Sequence, residues 1–82
     1  MLILALHHEL EEYLRKHGLG AKFIKQKGLF ESNPFHPSLN IELLAPKHLK
    51  IFSFRIDKKY RAIFIYINPD TIEVIDINNH YQ

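Results

Sequence analysis

Two runs of alternating apolar residues meet at a short charged segment, which leaves the second half of this chain little choice but a β-hairpin. Phe52, Phe54 and Ile56 recur with a period of two before Asp57-Lys58-Lys59, and Tyr60, Ala62, Phe64 and Tyr66 do so after it. A three-residue loop centred on Lys58 sets Arg55 across from Arg61, both pointing away from the apolar face; a two-residue loop would move Arg61 to the face of Phe54. Paired arginines on an open sheet face form a clamp for phosphate or carboxylate, because each guanidinium presents a planar fork of donors. The competing reading is solubilising charge beside Asp57.

Upstream, Leu6, Leu10, Tyr13 and Leu14 share one helical face, with Glu9, Glu11, Glu12, Arg15 and Lys16 mostly opposite. This predicts an amphipathic helix over residues 6–17, ended by Gly18 and Gly20, with acids in its first turn and bases in its last complementing the helix dipole. A second helix is expected over 21–31, with Phe23, Ile24 and Phe30 as its apolar contacts and Gly28 unfavourable inside it by about 1 kcal/mol relative to alanine. Residues 1–6 read as a first strand: they are too short for a membrane span and lack the basic flank and cleavage site of a signal peptide. Pro34 and Pro37 make residues 33–38 a loop, residues 41–44 approach the sheet as a short strand, and Asn68-Pro69-Asp70-Thr71 has the residues of a type I turn leading into a strand over 72–77. The expected class is α+β in the order β-α-α-β-β-β: two N-terminal helices packed on one face of a roughly four-stranded, mainly antiparallel sheet. The other face stays partly open and carries Ser53, Arg55 and Arg61.

A chain of 82 residues suffices for a single domain over 1–82 and leaves no room for a separate cofactor domain. The lack of cysteine excludes a disulfide framework and thiol chemistry and fits a cytoplasmic location. The net charge of +2 hides an asymmetry: Lys47, Lys50, Arg55, Lys58, Lys59 and Arg61 fall within fifteen residues, while Glu9, Glu11 and Glu12 cluster near the start. An anionic partner for the second half follows, nucleic acid or an acidic peptide, with the lysines as phosphate contacts. The six histidines show no recognised metal-ligand spacing, and Gly18-Leu19-Gly20 lacks the third glycine of a dinucleotide loop, so neither metal nor cofactor is expected.

The order of elements, the phrase Ser53-Phe54-Arg55-Ile56 followed by Lys59-Tyr60-Arg61-Ala62-Ile63-Phe64, the loop with Asn33-Pro34 and His36-Pro37-Ser38-Leu39, and the closing His80-Tyr81 together resemble the RelE/ParE superfamily. These are toxins of bacterial type II toxin–antitoxin systems, and the resemblance spans nearly the whole chain. It implies one of two activities: RelE-like and YoeB-like members are endoribonucleases that cut mRNA on the ribosome, whereas ParE-like members inhibit DNA gyrase. It also implies a cognate antitoxin, as part of a hetero-oligomer or beside a toxin homodimer, and no membrane; an inactive relative that only pairs with its antitoxin is a further noncatalytic alternative. Arg61 matches the family's arginine at the start of the strand after the hairpin, and Arg55 falls at or beside a basic position on the preceding strand. His80 and Tyr81 look like the His-Tyr pair that closes YoeB-like chains, and Glu42 matches the YoeB-like catalytic glutamate by its distance from Ser53. Ser53 itself stands where RelE-like chains carry a lysine.

Cutting RNA without a metal requires that the 2′-hydroxyl be deprotonated, the phosphorane charge be neutralised and the 5′-oxygen be protonated as it leaves. Arg61 has the donors for the pentacovalent phosphate and Arg55 for a neighbouring one. His80, with an ordinary pKa of about 6.5, exchanges a proton near neutrality. With Glu42 as base, His80 is the acid; without it, His80 and Tyr81 share both tasks. The expectation is a ribosome-dependent mRNA endoribonuclease with Arg61, His80, Tyr81 and Glu42 catalytic and Arg55, Lys47, Lys50, Lys58 and Lys59 binding RNA.

Overall fold

The chain runs β1 (Leu2–Ile3), α1 (His8–Lys16), α2 (Gly20–Ser32), β2 (Glu42–Leu43), β3 (Ile51–Arg55), β4 (Arg61–Asn68) and β5 (Thr71–Asn78) in a computed structural model that describes residues 1–79. The strands form one mixed sheet in the order β1-β5-β4-β3-β2, with β1 parallel to β5 and the remaining pairs antiparallel. It has five strands rather than roughly four. The addition is β2, where Glu42 pairs with Ser53 and Leu43 with Phe52; the sequence reads residues 41–44 as a short strand or a strand-like approach, since two residues are too few to carry a period.

α1 ends where the sequence says it should. Gly18 takes φ +65°, its N–H reaches the Arg15 carbonyl (3.2 Å), and the Leu19 N–H reaches back to the Leu14 carbonyl (2.8 Å). That pair of bonds satisfies two orphan carbonyls of the helix end, and Leu14 and Leu19 are both buried beside it. Gly20 does not belong to this ending, as it opens α2 instead. From α2, Phe23 and Phe30 enter the core, while Ile24 is 70% exposed and lies outside it, one residue round the helix from Phe23.

Phe23, Phe30, Leu14, Leu19 and Leu39 meet Phe54, Ile56, Ala62, Phe64, Ile72, Val74 and Ile77 from one face of the sheet. Phe54 sits at the centre of this layer, its ring 5.6 Å from Phe30, 5.8 Å from Phe64 and 6.1 Å from Phe23, distances at which aromatic pairs add to the area they bury. Strict alternation would send Ile77 to the opposite face from Val74. The register between β4 and β5 shifts by one residue, with Ile63 opposite Asp76 and Phe64 opposite Val74, so Ile75 is bulged out and Ile77 returns to the core opposite Ala62. The same bulge brings Asn78 opposite Arg61. Among the described residues, no helix is long and apolar enough to cross a membrane.

Candidate functional site

The hairpin closes with the three-residue loop, not the two-residue alternative. Arg55 pairs with Arg61, the Ile56 N–H reaches the Tyr60 carbonyl (2.9 Å), and the Asp57 carboxylate accepts the N–H groups of Lys59 and Tyr60 (2.8 Å each). Lys22 from α2 adds an ion pair to Asp57 at 3.1 Å. Partial burial pushes the Asp57 carboxyl up, but the two backbone N–H groups and the Lys22 ammonium outweigh it and hold the group below the usual carboxylate value.

Facing each other across one rung, the two arginines occupy different environments. Arg55 is exposed, as expected; Arg61 is only 5% exposed. Its guanidinium leans across the sheet over Ser53, donating from Nε to the Ser53 hydroxyl (2.9 Å) and from Nη2 to the Ser53 carbonyl (3.4 Å), and it also donates to the carbonyl of Asn40. Asn40 adopts a left-handed backbone, φ 45°, a conformation that asparagine tolerates better than most residues. The open face of the sheet is therefore closed at this point by the segment leading into β2. Burial draws the Arg61 pKa down from its ordinary value; Glu42 opposes that and Arg55 adds to it. An arginine starts so far above neutrality that it keeps its charge there. What burial achieves is a fixed guanidinium in place of a mobile one.

Around Arg61 lies a hollow of about 110 Å³ lined by Asn40, Glu42, Arg55, Asp57, Lys58, Lys59 and Arg61. At roughly 30 Å³ per water molecule, its size suits a phosphate group. Five of the residues expected from sequence thus meet here: Arg61, Glu42, Arg55, Lys58 and Lys59. Lys47 and Lys50 do not. They lie on the turn before Ile51, which pairs with Ile65 at the end of β3 away from Arg55. His80 and Tyr81 lie outside the described residues; the strand that precedes them delivers Asn78 to the partner position of Arg61.

A wider groove of about 730 Å³ runs from the hairpin tip to α2, lined by Lys22, Lys25, Gln26, Ser38, Arg55, Ile56, Asp57, Lys58 and Lys59. Lys22 and Lys25 were not anticipated from sequence. Their three-residue spacing places them on one helical face, which was the available signal, but nothing in that spacing reveals that the face borders the hairpin. Asn40 was missed for a similar reason, as its contribution is a main-chain carbonyl.

No family model matches the chain, and no curated protein matches its sequence. Solved structures do match in three dimensions. A YoeB/ParE toxin from Agrobacterium tumefaciens superposes with a TM-score of 0.69 at 18% identity, over 98% of this chain and 96% of that one. The YoeB–YefM toxin–antitoxin complex from Staphylococcus aureus, a heterotetramer, contains a chain that superposes with a TM-score of 0.68 at 15% identity, over 99% of this chain and 97% of that one. With nearly the full length of each chain superposed, the chain has the fold of the YoeB/ParE toxins.

Proposed function

We propose that this chain is the toxin of a toxin–antitoxin pair and that it cleaves mRNA bound to the ribosome. The observation that carries the reading is the hollow in which buried Arg61, exposed Arg55 and the carboxylate of Glu42 converge beside Lys58 and Lys59. Fixed cations suit a phosphorane, whose extra negative charge appears only as the 2′-oxygen attacks phosphorus, so a guanidinium held in place beforehand need not reorganise during the reaction. Glu42 is the candidate base for the 2′-hydroxyl. The bond from phosphorus to the 5′-oxygen then breaks, and His80 is the candidate donor of the proton that the leaving oxygen takes. Tyr81 is the reserve for either task.

A carboxylate set among cations distinguishes this reading from a purely electrostatic gyrase binder, for which Glu42 would be a liability. The cationic groove toward Lys22 and Lys25 offers the phosphates on either side of the cleaved one a continuous path. The antitoxin partner is supported by the Staphylococcus aureus neighbour, which was solved with one. Induced expression tests the proposal: amino-acid incorporation should stop within minutes while chromosomal DNA stays intact, and cognate antitoxin should restore growth. DNA breaks accumulating while mRNA stays whole would assign the chain to gyrase instead.

A further inference from the structure

Phe35 has the highest exposure, 89%, of the large exposed hydrophobic residues, and its neighbours Asn33, Ser38 and Asn40 are exposed and polar. A lone exposed hydrophobe is ordinary, but here the loop that carries it is built to hold it still. Pro34 and Pro37 restrict the backbone on either side. The Phe35 N–H is taken by the Asn33 side-chain oxygen (3.1 Å), the His36 N–H by the Asn33 carbonyl (2.9 Å), and the Ser38 N–H by Nδ1 of His36 (3.2 Å). Beneath the loop, the buried Gln26 donates from Nε2 both to the carbonyl of Ser38 (3.2 Å) and to that of Arg55 (2.8 Å). One side chain therefore fixes the Phe35 loop and the arginine-bearing end of β3 relative to each other.

Beside the Phe35 ring is a hollow of about 300 Å³ lined by Pro34, Phe35, His36, Pro37, Asn40 and Ile41. Asn40, the residue whose carbonyl Arg61 holds, lines both this hollow and the Arg61 hollow. A phosphate seated at the small Arg61 hollow leaves its flanking bases to be held elsewhere, and the hollow that shares Asn40 with it offers them an aromatic face. We infer that Phe35 is a stacking platform for a nucleobase of single-stranded RNA whose phosphate lies at Arg55 and Arg61, an inference that rests on the nuclease reading above. Stacking of this kind tolerates any base, because every base has a π-face. The exposed polar neighbours Asn33, Ser38 and Asn40, and the sharing of Asn40 with the cation-lined Arg61 hollow, favour RNA over an apolar protein surface.

The chain contains no tryptophan, so Phe35→Trp places the sole indole at the loop tip. Titrated at low salt, its emission should be quenched by a short oligoribonucleotide blocked against cleavage with 2′-O-methyl groups, and not by an abasic strand of the same length. Phe35→Ala should weaken binding of the base-bearing strand by about 5- to 100-fold and leave binding of the abasic strand unchanged. Phe35→Leu should behave like the alanine variant, and both should unfold at the wild-type temperature. Equal affinity of wild type and Phe35→Ala for the base-bearing strand would overturn the stacking role while leaving the phosphate site standing. Loss of a copurified protein partner from Phe35→Ala, with RNA binding intact, would overturn it in favour of a protein contact. Failure of the wild type to bind either strand would overturn the stacking inference, whereas the nuclease reading stands or falls with the mapping of mRNA ends on the ribosome.

Discussion

Arg55 and Arg61 pair across a single rung of the sheet, yet truncating them should have unequal consequences for stability. Arg61→Ala removes the donor held by the Ser53 hydroxyl and the Asn40 carbonyl inside a buried site, and leaving such acceptors without a partner costs about 1–3 kcal/mol. Arg55 is exposed, and Arg55→Ala should change stability by less than about 0.5 kcal/mol. Urea unfolding of the two variants checks both numbers, and equal losses would mean that Arg61 is not the buried anchor described. The pairing of these arginines was legible in the sequence only on a three-residue loop, a count that keeps Phe54 and Phe64 on the same face and that the structure bears out. The burial of Arg61 was not, since it depends on a carbonyl 21 residues away and on the left-handed turn that presents it. Glu42 was singled out only through its spacing from Ser53, and the two residues are direct partners across β2 and β3.

At the level of elements, the sequence spoke clearly where a single residue ends or turns the chain and poorly where the tertiary environment decides. Gly18 stops α1 in a left-handed conformation, so Gly18→Ala should cost about 1–2 kcal/mol. Gly28 lies within α2 with nothing within 4 Å of the position a Cβ would take, so Gly28→Ala should stabilise by about 0.5–1 kcal/mol. Thermal unfolding of the two variants should move in opposite directions. The hairpin tip depends on ionised Asp57, whose pKa is lower in the folded chain than in the unfolded one. A depressed carboxyl stabilises fully above its unfolded value of about 3.9 and loses that contribution as pH falls through the folded value. Stability should therefore drop below about pH 4, and Asp57→Asn, which keeps a side-chain acceptor but cannot titrate, should flatten that part of the profile. The exposure of Ile24, the two-residue β2 and the bulge at Ile75 had no such local signature. Each is set by what the rest of the sheet and core require: Ile75 leaves the ladder so that both Val74 and Ile77 can be buried.

Across the whole molecule, the charge asymmetry seen in sequence becomes a geometry. The hairpin cations and the α2 lysines come from segments some thirty residues apart, Lys22 pairing with Asp57 at a separation of 35, and they line one groove, whose hairpin residues Arg55, Asp57, Lys58 and Lys59 also line the Arg61 hollow. RNA affinity should accordingly fall steeply with salt, the slope of log K against log salt shrinking by about 0.7 for each phosphate of single-stranded RNA that is deprived of its cation. Lys25→Ala should reduce that slope in filter-binding titrations, and Lys47→Ala, at the far end of β3, should leave it unchanged. The fold and the basic hairpin were readable before any coordinates; the meeting of Arg61 with Asn40 and of Lys22 with the hairpin was not, because both are long-range contacts that no local pattern encodes. The nuclease assignment is tested most directly by mapping mRNA ends in a purified translation system with wild-type protein and a folded Arg61→Lys variant, which keeps the charge but loses the planar fork. The expected result is new mRNA ends within codons in the ribosomal A site, produced about 100-fold or more slowly by the variant, as for loss of an aimed donor to a developing oxyanion. No ends above background with wild-type protein, or equal cutting by both proteins, would contradict the assignment of Arg61 as the group that stabilises the reacting phosphate.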